Sequence, residues 1–266
     1  MLDLMRMNTR RLLRARAVYI TLAALIGVLA LFFLIAWIAS DPGMLAKVES
    51  MGAVVTVEER QDAQAFLTMS RMDFMAQMFF QGGLISCVMS IFTVVLVKGD
   101  FSSGFIKNIA SFRARRGGYL PAWQAALSIL TAFYMAVLMA VAWGIASALG
   151  VPAQAGDLLR LAEMFLLGLV IFSAQIAQTQ FFCMLVRGPV LAGTLSVLAV
   201  SGVFAAAING LTAPFGLSLM QYTLAGSAAG ILACMEHPLP SVALCAAWLV
   251  LYQVLGTWKF KRMDVC

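Results

Sequence analysis

Six long apolar runs divided by short polar stretches restrict this chain to a bundle of membrane-crossing helices. They cover residues 17–39, 75–97, 120–148, 160–186, 189–208 and 241–258. A helix that crosses a bilayer needs about 20 mostly apolar residues, and each run meets or approaches that length. With 62% hydrophobic and 11% charged residues, the chain lies well away from the balance of a soluble domain.

The charges between the runs alternate in sign. With the N-terminus in the cytosol and all six runs crossing, 14 of the 18 Lys and Arg residues fall on cytosolic segments. Only Asp3, Asp100 and Asp264 accompany them, and the other nine acids lie outside. Such a bias orients helices during insertion. The formal net charge of +6 therefore reads as topology and not as a nucleic-acid footprint. The expected fold is all-α: one polytopic membrane domain over residues 1–266, with six spans and both termini cytosolic. The first run is too long for a signal peptide and reads as a retained helix.

Little chemistry is legible. Cys87, Cys183, Cys234, Cys245 and Cys266 are scattered and His237 is the one histidine, which does not make a metal-ligand pattern. His237 beside Glu236 reads as a loop histidine, and no nucleophile–base pair stands out. Gly99 and Gly104 have Walker-like spacing, but Phe105 stands where the phosphate-binding Lys belongs. Any ATP would have to be hydrolysed by another polypeptide. No Asp, Glu, Lys, Arg or His occupies the centre of a span, which disfavours an ion-coupled carrier. The mid-span polar groups are Gln77 and Gln81 in the second run, and Ser173, Gln175, Gln178 and Thr179 in the fourth. Gln175 and Gln178, three apart, share a helix face. These glutamines either line a substrate path or hydrogen-bond between helices.

Between the runs, residues 1–16 form a basic amphipathic segment. Arg6, Arg10 and Arg14 make one stripe, while Leu2, Met5, Leu12 and Leu13 gather elsewhere. This suits a helix lying in the headgroup layer as well as a topogenic signal. In residues 98–119, Ser102 or Ser103 is placed to cap a short helix over residues 104–112, with Phe105, Ile109 and Phe112 on one face. That face either docks on a partner or lies against lipid. Small residues recur every fourth position at Ala132, Ala136, Ala140, Gly144 and Ala148, and again at Gly202, Ala206 and Gly210. Such stripes permit close helix approach, within one chain or across two. Residues 209–240 are apolar but interrupted by Pro214, Gly216, Gln221, Gly226 and Gly230. Parity favours an external segment that dips into the membrane and returns.

The order of parts resembles the permease subunits of ABC-2 type exporters, a group that includes lantibiotic-immunity and drug or peptide export permeases. The most specific match is Asp100-x-x-x-Gly104-x-Ile106-Lys107-Asn108-Ile109 followed by arginines. The resemblance implies an elbow helix over residues 1–16, a coupling-helix loop over 98–119 and a re-entrant segment over 209–240. It implies that Phe105, Ile106 and Ile109 anchor the coupling helix in a groove of an ATPase subunit, with Lys107 and Asn108 as polar contacts. It further implies two ATPase subunits, carrying ATP and Mg, and a second permease, alike or different. This chain would itself bind no cofactor, would not be an enzyme, and would sit in a bacterial plasma membrane. The expected cargo is amphipathic: a peptide, an antimicrobial, a drug or a lipid. The alternatives are a polytopic scaffold or sensor without an ATPase, and a membrane-embedded enzyme.

Overall fold

A computed structural model describes residues 2–41, 69–81, 83–106, 117–148, 150–154 and 156–263, together with Gly43, Met44, Lys47, Ser50 and Thr56. Among them every regular element is helical. The basic segment is α1 (Leu2–Arg14), and Ala15, extended at φ −75° and ψ 114°, divides it from α2 (Arg16–Ser40). Next comes α3 (Arg71–Ala76). Its N-cap Ser70 accepts the Asp73 amide at 3.1 Å and donates to the Asp73 carboxylate at 2.5 Å, satisfying an end that would otherwise leave free donors. A π-helical turn, Gln77–Gln81, runs on from α3, and α4 (Leu84–Ser102) resumes after Gly83. Two long helices come next, α5 (Tyr119–Ala148) and α6 (Asp157–Leu185). The chain then breaks into α7 (Pro189–Val200) and α8 (Val203–Thr212), short 3-10 turns, α9 (Leu224–Ala229) and α10 (Ile231–Glu236). It closes with α11 (Pro238–Arg262).

Five of these stretches are long and apolar enough to cross a membrane, and six if the bent pair α7–α8 counts as one. The chain thus has the make-up of a polytopic membrane protein. Since lipid is as apolar as leucine, close packing and not hydrophobic burial must hold such helices together. The core shows that packing: Phe80 stacks on Phe172 at 5.2 Å, and α11 lies along α6. A Cβ at Gly168 would come within 2.5 Å of the Phe80 ring and 2.8 Å of the Met135 methyl. Only glycine lets both side chains close on α6 here.

The bundle has two distinct ends. At one, Arg11 pairs with Asp100, Tyr119 stacks on Phe260 at 5.2 Å, and the Lys98 ammonium donates to the Val186 carbonyl. That end collects the C-terminal ends of α1, α4, α6 and α11 and the start of α5. At the other, Arg71 Nε donates to the Val151 carbonyl at 3.0 Å, the Arg71 guanidinium lies 4.9 Å over the Trp143 ring, and α10 packs against α3.

Two expectations need correcting, and one question left open is narrowed. The fifth run is not one straight span. It bends by 58° between α7 and α8, because Gly202 adopts φ 84°, a left-handed conformation costly for other residues. The 12 residues of α7 extend about 18 Å and cannot cross alone. The second run is interrupted by the π-turn, and its helix continues to Ser102, past the expected loop boundary at Lys98. Ser102 and Ser103 donate back to the Gly99 and Asp100 carbonyls at 3.0 and 3.4 Å, finishing α4. The small-residue stripe of α5 points outward: Ala136, Ala140, Gly144 and Ala148 are exposed. These four positions therefore pack against no other helix among the described residues, while Ala132 is half-buried.

Candidate functional site

Asp100 lies in the last turn of α4 and is completely buried. Its Oδ1 accepts the Arg11 guanidinium at 2.5 Å, and its Oδ2 accepts the Tyr119 hydroxyl at 3.0 Å and the Trp123 indole N–H at 2.9 Å. A carboxylate removed from water needs both a counter-charge and donors. Arg11, 46% exposed, supplies the first, and the start of α5 supplies the second. The result ties α1, α4 and α5 together at the base of the loop between α4 and α5.

That knot fixes the residues around it. Gly104 turns the chain at φ 71°. Phe105 is half-buried with the Arg11 guanidinium 5.8 Å from its ring centre, and Ile106 is 1% exposed. The Ile106 side chain belongs to the chain's own core and is not offered to a partner, which departs from the anchoring role expected of it. Lys107, Asn108 and Ile109 lie outside the described residues.

The four path glutamines separate into two places. Gln77 and Gln81, in the π-turn, are exposed and line an open cavity of about 420 Å³ with Leu25 and Phe32 of α2 and Leu138 of α5. Gln175 and Gln178 sit inside the bundle. The Gln178 amide donates to the Tyr252 hydroxyl at 3.0 Å, joining α6 to α11, while its Oε1 has no partner among the described residues. Gln175 is 2% exposed, and neither of its side-chain polar atoms has a partner among the described residues.

Around them runs an amide cluster that sequence reasoning missed. Gln253 of α11 donates to the side-chain oxygens of Gln124, at 2.9 Å, and Gln180, at 2.7 Å. Gln124 donates to the Ser173 carbonyl at 2.8 Å, and the Ser128 and Ser173 hydroxyls meet at 3.0 Å. Helices α5, α6 and α11 are thereby cross-linked. The signal in the sequence is depth: Gln124 and Gln180 each lie five residues, and Gln253 nine, from the helix ends gathered at one end of the bundle. Polar positions weighed run by run leave that coincidence out of view.

The remaining contact joins α4 and α6. Ser90 and Thr179 are 3.2 Å apart, while Phe80 stacks on Phe172 farther up and Lys98 reaches Val186 farther down. Residue numbers along the two helices thus rise together, and the helices run parallel. Ser86 and Gln175 each lie one turn before that bonded pair, placing both at the same level. Both are buried, and Ser86 Oγ also lacks a partner among the described residues. Inside a spanning bundle, an uncompensated polar group costs roughly 1–3 kcal/mol; Gln178 Oε1, Gln180 Nε2 and Gln253 Oε1 in the neighbouring amides also lack partners among the described residues. Neither a protein-family model nor a curated protein matches this chain.

Proposed function

We propose that this chain is the permease subunit of an ATP-driven exporter, passing an amphipathic cargo and driven by a separate ATPase. The Asp100 knot carries the reading. It sits at the root of the loop that the ABC-2 resemblance assigns to motor coupling, and it joins that loop to two spanning helices and the basic helix α1. Force applied to residues 107–116 would reach α4 and α5 through one buried charge network and not through a loose linker. In this reading α1 is the elbow helix, the knotted end faces the cytosol, and residues 209–240 form the external re-entrant segment. The outward-facing small-residue stripe of α5 suits pairing with a second permease. The unsatisfied level of Ser86 and Gln175, between α4 and α6, suits a path that opens when those helices part.

Affinity purification of the full chain from its native membrane tests the reading. A Walker-bearing ATPase is expected to co-purify, and Lys107→Glu with Ile109→Asp is expected to abolish its recovery while leaving membrane insertion unchanged. Recovery of the ATPase with the double variant would overturn the coupling assignment. Recovery of other membrane proteins and no ATPase would favour a scaffold.

A further inference from the structure

At the knotted end of the bundle, a groove of about 620 Å³ opens where α4 ends and α6 turns into α7. Its mouth carries two cations. The Lys98 ammonium donates to the Val186 and Arg187 carbonyls, the latter at 3.2 Å, and stands 5.5 Å from the Phe101 ring centre. Two of its three protons are thus committed and one remains for a ligand. Arg187 is exposed and makes no ion pair among the described residues. Ser102 adds a hydroxyl to the rim, and α7 begins there with Pro189 in its first turn, so the positive end of its dipole faces the same mouth.

Farther in, the groove becomes apolar. Ile91 and Val95 of α4 and Val190 of α7 are 50%, 62% and 81% exposed. Gly193 keeps the α7 wall low: a Cβ there would meet only Val94, at 4.0 Å. Ile91 lies seven residues before Lys98, about 10 Å along the helix. Two cations with no acid among the described residues of the lining, above an apolar trough leading into the spanning region, complement an amphiphile with an anionic head.

We propose that this groove is a specific site for one anionic phospholipid, its phosphate between Lys98 and Arg187 and an acyl chain along Ile91, Val95 and Val190. Basic pockets between spanning helices at the cytosolic face bind such headgroups. The proposal rests on the membrane reading and not on the exporter reading.

The test is native mass spectrometry of the full chain in detergent, titrated with phosphatidylglycerol, phosphatidylcholine or soluble glycerol 3-phosphate. The wild type is expected to retain phosphatidylglycerol preferentially. Arg187→Gln, which removes an exposed side chain with no bond among the described residues, is expected to weaken it about five-fold and leave phosphatidylcholine unchanged. Gly193→Leu, filling the trough, is expected to weaken phosphatidylglycerol as well, and thermal denaturation confirms that both variants are folded. Equal retention of the two lipids, or wild-type phosphatidylglycerol binding by Arg187→Gln, would overturn the site. Glycerol 3-phosphate binding as tightly as the lipid would overturn the acyl-chain part and leave a phosphate site. A second copy of the chain occupying the groove in place of lipid would overturn it altogether.

Discussion

Asp100 and Arg11 form an unequal pair, and the inequality makes the knot testable. The carboxylate is fully enclosed while the guanidinium is 46% exposed. Arg11→Ala strands a buried charge with two neutral donors, which costs about 3 kcal/mol. Asp100→Asn releases Arg11 to water and keeps an acceptor for one of Tyr119 and Trp123, costing about 1 kcal/mol. Thermal melts in detergent should place Arg11→Ala clearly below Asp100→Asn; the reverse order would mean that the carboxylate is not held as a buried ion. None of this was legible locally. Resemblance marked Asp100 as a loop residue, but its partners lie 89, 19 and 23 positions away, and no periodicity links them. The bonding of Gln178, by contrast, obeys a simple rule, since an amide in a spanning helix seeks a neighbouring helix.

Helix identity was largely readable because apolar length in a membrane permits few alternatives. Runs 17–39, 120–148, 160–186 and 241–258 correspond to α2, α5, α6 and α11 with ends shifted by a few residues. Breaks were harder. Gly202 falls in a stripe of small packing residues, and it serves instead as the bend. The π-turn before Gly83 has no periodic signature of its own. Ser86 and Gln175, between α4 and α6, are buried without side-chain partners among the described residues. Replacing a buried unpartnered amide with an apolar group of similar size removes a desolvation cost. Gln175→Leu should therefore raise stability by about 1–2 kcal/mol, seen as a higher melting temperature of the purified chain. A lower melting temperature would show that Gln175 is satisfied. If the level also forms part of the cargo path, the stabilised variant should lose export, a trade of activity for stability seen when sites carry unsatisfied groups.

For the whole molecule, the contacts force a parity that hydropathy alone left to assumption. Arg11, near the N-terminus, and Phe260, near the C-terminus, both reach the junction of α4 and α5. Between them, α10 packs on α3 at the opposite end. After leaving the knotted end at Val186, the chain must therefore traverse the bundle through α7, α8 and the broken segment before α11 returns it. The bent pair and the broken segment together complete an even number of passages, although no single straight helix makes that one. Charge is biased the same way: Arg187, Lys259 and Arg262 gather at the knotted end, and at the other Asp73, Asp157, Glu163 and Glu236 outnumber Arg71 and Arg160. The positive-inside rule leads us to expect the knotted end in the cytosol. In a cysteine-free background, Met7→Cys and Lys261→Cys should react with a membrane-impermeant maleimide only after permeabilisation. Met44→Cys, just beyond α2, should react in intact cells. Labelling of Lys261→Cys in intact cells would break the parity and detach α11 from the coupling end. Labelling of both terminal sites in intact cells, with Met44→Cys protected, would keep the parity, invert the protein in its membrane and put the proposed motor-docking loop outside the reach of any cytosolic ATPase.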